Sequence, residues 1–156
     1  MKSWLMIVVV VLAVASAFLF FDNNSSVGLA PAKPYKAGLP DLTTNISINN
    51  VVNNSVNGSV QFLINYNITY KNIGNVVSQT VDYSSWGSMA CISGPGYGGG
   101  GGSTLPALNP NQITTYQSYF QSNCYGTWSA YAAVDTIGTL TELNENNNNA
   151  SISIPI

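Results

Sequence analysis

Residues 60–70 read VQFLINYNITY and alternate between apolar and polar side chains, with Leu63 as the exception. The apolar phase contains Val60, Phe62, Ile64, Tyr66, Ile68 and Tyr70, and the polar phase contains Gln61, Asn65, Asn67 and Thr69. Because successive side chains of a strand point to opposite faces of a sheet, this pattern predicts a long strand with one buried face.

The same alternation recurs elsewhere in the chain, in residues 42–48, 128–134 and 152–156. Weaker strands are predicted over residues 76–83 and 113–121. Outside the N-terminal segment, no window shows the 3.6-residue period of an amphipathic helix. The pattern therefore predicts an all-β sandwich, with one face of each sheet packed inward, Trp128 included.

Glycine and asparagine mark the predicted turns. Asn57-Gly58 lies between the first two strands and is typical of a type I′ turn, which needs positive φ at both central residues. Gly138 predicts a hairpin between the last two strands. Residues 93–103 contain five successive glycines, Gly98 to Gly102. A phosphate-binding loop would need a following helix and Lys, so we interpret this run as a flexible loop tip.

Charge is scarce in these 156 residues, which hold four Lys, six Asp or Glu, and no His. All four basic residues are lysines, and the formal net charge is -2. Nucleic-acid binding needs clustered Lys and Arg, so that class is excluded. Histidine-based catalysis and His-ligated metal sites are excluded as well.

The N-terminus predicts export. Residues 4–21 are apolar and uncharged, follow Lys2, and are just long enough to span a thin membrane. Ala15-Ser16-Ala17 offers a signal-peptidase site, but an apolar run continues beyond it, which favours an uncleaved signal anchor over a cleaved signal peptide. We predict a signal segment at 1–21, a Pro/Ser/Gly stalk at 22–39 and an outside domain at 40–156. The alternative is secretion after cleavage.

Cys91 and Cys124 are the two cysteines of the chain. A pair of cysteines in an exported domain usually forms a disulfide. Two free buried thiols or a two-ligand metal site are the alternatives, although two Cys without His are too few for structural zinc.

The C-terminal third resembles the closing signature of the CARDB family, the cell-adhesion-related domain found in bacteria. That signature is a Val-Asp pair followed by Glu-x-Asn-Glu-x-Asn-Asn, matched here by Val134-Asp135 and residues 142–148. Pro40-Asp41-Leu42 resembles the family's opening, and residues 71–74 its Lys-Asn-x-Gly turn. The stretch 105–112 resembles the loop before the fifth strand. The resemblance covers 40–156 and implies a seven-stranded immunoglobulin-like sandwich, cell-surface adhesion and no catalytic residues.

Acidic side chains near the C-terminus are the candidates for chemistry. Asp135, Glu142 and Glu145, with Asn144 and Asn147, offer the oxygen ligands that Ca²⁺ prefers. The favoured interpretation is that they bond backbone amides, as Asp and Asn do in turns, and that no cofactor is needed. Paired carboxylates for glycoside hydrolysis are the enzymatic alternative, but no other acid or Arg would orient a substrate, so we predict no enzyme.

Aromatic side chains are the candidates for binding, since they give large contact area at low entropic cost. Trp86 and Tyr97 are the preferred surface candidates. The wider set contains Tyr83, Tyr116, Tyr119 and Tyr125.

Glycan acceptor sequences are frequent in this asparagine-rich chain. Beyond Asn23 and Asn24 near the anchor, the candidates are Asn45, Asn53, Asn57, Asn67 and Asn149.

The sequence thus favours a membrane-anchored, non-catalytic surface domain that contacts a cell-surface protein or glycan. One alternative is a subunit of a filament or envelope lattice that self-associates by strand addition at residues 150–156. Another is a carbohydrate-binding module.

Overall fold

The computed structural model describes residues 38–156. The predicted membrane segment at 4–21 and almost all of the predicted stalk lie outside the described residues. Within 38–156, no helix is long and apolar enough to cross a membrane.

Seven strands make up the described part of the chain, and their hydrogen-bonded neighbours are all antiparallel. They are β1 (Leu42–Asn53), β2 (Phe62–Asn72), β3 (Val81–Cys91), β4 (Tyr97–Leu105), β5 (Ile113–Ser122), β6 (Gly126–Val134) and β7 (Asn149–Pro155).

The strands form two sheets, one in the order β1-β2-β5 and the other in the order β4-β3-β6-β7. This is the predicted all-β, immunoglobulin-like sandwich, with β4 attached to the sheet of β3 and β6 rather than to that of β1. The edges of the four-stranded sheet are β4 and β7.

Strand β2 confirms the alternation. Every second side chain from Phe62 to Asn72 is buried, and the intervening ones are half-buried. Its inward face meets β6 across the sandwich, where the rings of Tyr66 and Trp128 lie 5.0 Å apart between centroids. Trp128 is fully buried, as predicted. The rest of the core comes from the inward phases of the other strands, and Leu105, Leu108 and Leu140 lie at the end where β2 and β6 finish.

The turn between β1 and β2 has the predicted geometry. Asn57 and Gly58 both have positive φ, 51° and 81°. Val56 and Ser59 exchange both backbone hydrogen bonds, at 3.2 and 3.0 Å, around them. A type I′ turn matches the twist of a hairpin, so this pair sets the entry into β2.

The glycine run is not the predicted loop tip. Gly98 to Gly102 lie inside β4 and pair with residues 84–88 of β3. A strand ladder is made by backbone groups, so glycines can join it although they contribute no side-chain packing. Tyr97 and Leu105 close the strand at its two ends, and Leu105 is fully buried.

Two other predicted boundaries are wrong. Strand β3 begins at Val81 rather than at residue 76, because Ser78 exchanges two hydrogen bonds with the backbone of Leu108 and holds the preceding segment as a connection. The chain turns at Gly138, where its N–H donates to the Asp135 carbonyl at 3.0 Å. It does not form a tight hairpin there, since residues 139–148 continue before β7 begins.

Candidate functional site

The segment 135–148, called here the acidic loop, begins at a buried carboxylate. Asp135 has a φ of 49° and directs both carboxylate oxygens back at its own loop. One oxygen accepts from the N–H and the hydroxyl of Thr139, at 2.9 and 2.8 Å, and the other accepts from the N–H of Leu140 at 3.0 Å. Asp135 therefore organises the turn that leaves β6, as Asp commonly does in turns.

Glu142 joins the acidic loop to the start of β1. Its Oε2 accepts a hydrogen bond from the Leu42 N–H at 3.1 Å. With the Asn148 amide oriented so that its nitrogen faces the neighbouring acceptors, it donates to the same oxygen at 3.0 Å and to the Leu42 carbonyl at 2.8 Å. The other oxygen, Oε1, is buried without a hydrogen-bond partner.

Burial changes the ionisation of this carboxyl. Desolvation raises the pKa of Glu142 to about 7, and the charges of Glu145 and Asp135 act in the same direction. The hydrogen bonds from Leu42 and Asn148 oppose the rise in pKa without cancelling it.

The remaining polar groups of the acidic loop also bond locally. Glu145 accepts from the Glu142 N–H at 3.0 Å, and Asn144 accepts from the Asn146 N–H at 3.1 Å. Asn147 donates to the Asp41 carboxylate at 2.7 Å. Together these bonds close the loop over the first residues of β1.

The chemistry open to the acidic loop follows from these bonds. A depression of about 300 Å³ has Asp135 and Glu145 in its wall, with Thr136 and Asn148 beside them. Both carboxylates already accept hydrogen bonds from backbone N–H groups. Across residues 38–156, no three His, Cys, Asp or Glu side chains are placed to share a metal ion. The geometry is that of a structural element, in which the carboxylates hold the acidic loop together and fix it to the start of β1.

A second polar centre lies at the end of β2 and was not predicted from residue chemistry. Asn72 is fully buried, and its Oδ1 accepts from the N–H groups of Asp41 and Gly74, at 3.2 and 3.0 Å. Its Nδ2 donates to the carbonyls of Val76 and Leu108, at 2.7 and 2.9 Å. The Lys-Asn-x-Gly pattern of residues 71–74 was the signal that pointed to it.

The aromatic candidates divide between two surfaces. Trp86 lies on the outer face of the four-stranded sheet and is 52% exposed. Tyr97 points the other way: its ring stacks on Phe120, at 5.6 Å between centroids, and its hydroxyl bonds to Gln121 and Asn123 of the β5 end. The neighbour that faces Trp86 is instead Tyr131, its cross-strand partner on β6, which is 45% exposed.

The other tyrosines have different surroundings. Tyr83 and Tyr116 stack on each other, at 5.1 Å between centroids, and both pack against buried Tyr70. Burial raises the pKa of Tyr83 and that of Tyr70. Tyr125 packs edge-on against Phe62, and Tyr119 is exposed on the opposite sheet.

Cys91 and Cys124 form a disulfide in the structure, with their Cα atoms 5.7 Å apart. Cys91 ends β3, and Cys124 lies in the turn between β5 and β6. The bond therefore links the end of β3 to the connection between β5 and β6, at the end of the sandwich opposite the acidic loop.

The acceptor asparagines in the described part lie on polar surface. Asn45, Asn53, Asn57 and Asn149 are exposed. Asn67 is half-buried, and its side-chain oxygen accepts from Asn49 at 2.9 Å.

This architecture is an immunoglobulin-like β-sandwich, with structural carboxylates at one end and a disulfide at the other. No protein-family model matches the chain, and no curated protein matches it significantly. Among solved structures, it resembles the CARDB domain of a Pyrococcus furiosus protein that was crystallised in complex with di-metal ions. That match has a TM-score of 0.56 and 26% identity, and covers 75% of this chain and 93% of that one.

A solution NMR structure of the same archaeal domain matches with a TM-score of 0.53 and 25% identity, over 75% of this chain and 94% of the other. The resemblance to CARDB domains predicted from the closing signature is thus confirmed, and the chain carries a CARDB-like domain.

Proposed function

We propose that this chain is a non-catalytic domain displayed outside the cell, where it mediates adhesion or contact with another surface molecule. The observation that carries the proposal is that the Asp and Glu side chains of the described residues serve as structural hydrogen-bond acceptors. All five carboxylates of residues 38–156 accept hydrogen bonds within the fold. General acid or base catalysis needs a carboxyl that reaches a substrate proton, and these carboxyls hold loops instead.

The disulfide supports the extracellular part of the proposal, because such bonds persist in oxidising compartments. The apolar segment 4–21 would provide the membrane attachment, with the sandwich outside. Secretion after cleavage is the alternative. N-terminal sequencing of the mature protein distinguishes the two, because an anchor retains Met1 or Lys2 as its first residue.

Proximity labelling on intact cells tests the contact function. The full chain fused at its C-terminus to a labelling enzyme should mark a reproducible set of surface molecules. The matched control carries the same residues 1–39 and labelling enzyme with an unrelated sandwich domain. A marked set identical to that of the control contradicts the proposal.

Self-association by strand addition is the second candidate, and the edge position of β7 favours it. Thr44 of β1 bonds the carbonyls of Asn147 and Asn148 just before β7, which leaves the edge from Asn149 onward for a neighbour. Sedimentation of the purified chain over a wide concentration range tests this candidate. A monomer at the highest concentration contradicts it.

Two additions to this proposal concern groups that the domain could carry, namely glycans and a Ca²⁺ ion. We propose glycans on the exposed acceptors, Asn45, Asn53, Asn57 and Asn149, and on Asn67. An intact mass equal to that of the bare polypeptide contradicts this proposal.

The related archaeal domain was crystallised with di-metal ions. In this chain Asp135, Glu142 and Glu145 would be the ligands of a Ca²⁺ ion. Their bonds to backbone N–H groups do not favour that use.

A further inference from the structure

We infer that the outer face of the four-stranded sheet binds a neutral glycan, with Trp86 as the stacking platform and Tyr131 beside it. The inference rests on the proposed function, because it names the partner class of the same displayed domain.

The strand register arranges this face in rows. One row runs Gly100, Trp86, Tyr131, Ser151 across β4, β3, β6 and β7. The next row runs Gly98, Ser88, Ser129, Ser153. An aromatic pair therefore lies in the centre of the sheet, and a row of hydroxyls lies beside it.

The glycines of β4 leave room for the indole. A Cβ atom built on Gly98 would lie 3.0 Å from Nε1 of Trp86, and one built on Gly100 would lie 2.8 Å from its Cε3. The ring thus occupies space that side chains at these two positions would fill. A ring held against backbone loses little further freedom when a ligand stacks on it, which favours binding by preorganisation.

Shallow depressions lie on both sides of Trp86. One, of about 310 Å³, is lined by Ser84, Ser85, Trp86, Gly100, Gly101 and Tyr131. The other, of about 410 Å³, extends past Ser88 to Ala90 and Gly96. An indole between two shallow depressions suits an extended chain of sugar rings, one stacked on the ring and one on each side.

Charge decides which glycan is expected. The two central rows contain Gly, Ser, Trp and Tyr and therefore carry no charged side chain. Ser129 and Ser153 place their hydroxyl oxygens 2.6 Å apart beside the aromatic pair, where they can bond sugar hydroxyls. A sulfated or uronic polymer would find no cation here to compensate its charge. The complementary partner is an uncharged polysaccharide.

The test uses the full chain in a detergent without sugar groups, titrated with cellohexaose, xylohexaose and mannohexaose. Calorimetry and tryptophan fluorescence are the readouts. At least one neutral hexaose should bind and shift the tryptophan emission of the chain to shorter wavelength, and this shift should be absent in Trp86→Ala. Trp86→Ala should weaken binding at least about tenfold and Tyr131→Ala about threefold, as expected for loss of stacking contacts. Gly100→Ala should weaken binding while keeping the tryptophan.

Tyr119→Ala is the matched control, because Tyr119 is 67% exposed on the opposite sheet. It should leave binding unchanged, and circular dichroism should show that all variants are folded. No binding of any neutral hexaose, or binding that survives Trp86→Ala, overturns the inference. A protein that is captured through this face, with no glycan bound, also overturns it. If proximity labelling still marks specific surface molecules in either case, the proposed contact function stands.

Discussion

The carboxylate of Glu142 accepts a hydrogen bond from the backbone N–H of Leu42, 100 positions earlier in the chain, at 3.1 Å. This contact ties the acidic loop to the first strand of the opposite sheet. It also places an ionisable group where water does not reach one of its oxygens.

Stability should therefore depend on pH through Glu142. Its pKa is about 7 in the folded chain against an ordinary value of 4.5, so the folded state holds the proton more tightly. The stabilisation is complete below the unfolded pKa and is lost as pH rises through the folded value. We expect the free energy of unfolding to fall by roughly 1–3 kcal/mol between pH 5 and pH 8, measured by urea titration.

Glu142→Gln should flatten that dependence, because the amide oxygen still accepts from Leu42 and cannot ionise. Glu145→Gln removes the same charge from an exposed position of the loop and should retain most of the slope, because desolvation is the larger cause of the raised pKa of Glu142. A slope shared by both variants and the parent chain contradicts the assignment to Glu142.

Removing the side chain of Asn72 should destabilise the fold severely. Its four hydrogen bonds join the start of β1 to the turn after β2 and to the segment before β5. Asn72→Ala leaves several buried groups without partners, at a cost of about 3 kcal/mol. Chemical unfolding measures the loss.

Asn65→Ala is the matched control for Asn72, because Asn65 lies on the polar phase of the same strand and bonds a single side chain, Asn50, at the surface. We expect a change within about 0.5 kcal/mol. Equal losses in the two variants would falsify the proposed role of Asn72.

The disulfide should stabilise the sandwich by roughly 3–4 kcal/mol in the chain-entropy model, given its sequence separation of 33. Cys91→Ala combined with Cys124→Ala, compared with the oxidised parent in urea, measures this contribution. A reducing agent should lower the stability of the parent chain and leave the double variant unchanged. No difference between parent and variant contradicts the expectation.

Alanine substitutions along β4 should alternate in effect. A Cβ atom at Gly100 would lie 2.1 Å from the Ser85 carbonyl oxygen, whereas one at Gly101 meets nothing within 4 Å. Gly100→Ala should cost roughly 1–3 kcal/mol through strain. Gly101→Ala should be neutral or stabilise by about 0.5–1 kcal/mol, because alanine has less freedom to lose in a strand. Thermal unfolding of the two variants is the measurement, and similar melting temperatures would count against this geometry.

Chelation should leave the melting temperature unchanged. Both oxygens of Asp135 and one each of Glu142 and Glu145 already accept backbone N–H groups, so a cation would have to displace them. Free Ca²⁺ at a hundred times the dissociation constant of such a site would raise the free energy of unfolding by about 2.7 kcal/mol. Calorimetry would readily resolve the corresponding rise in melting temperature. A melting temperature that falls with chelator and rises with added Ca²⁺ contradicts this prediction.

Side-chain alternation determined which parts of the fold could be predicted. It revealed β2, β6 and β7 because their inward phases are apolar. It could not reveal β4, because glycines have no side chains and hence no periodicity. It gave only a weak and misplaced signal for β3, because the inward phase of that strand includes Ser85 and Gly87. Strand membership there depends on backbone pairing with partners that no local pattern identifies.

The candidate residues show the same limit. Trp86 stood out as an exposed aromatic, but its companion Tyr131 lies across the sheet and 45 positions along the chain in the ladder of β3 and β6. The partner of Glu142, Leu42, is still more remote, at 100 positions along the chain. Residue chemistry suggested the groups, and only the strand register could show which of them meet.

Five identical glycines also cannot encode their own alignment with β3. A slip of one residue would exchange one glycine for another and leave the sheet unchanged in that stretch. The alignment is therefore set at the two ends, by Tyr97 stacked on Phe120 and by Leu105 in the core. The number of glycines is therefore fixed by the distance between Tyr97 and Leu105. An added glycine must be absorbed as a β-bulge, and a missing one must draw Tyr97 or Leu105 out of its position.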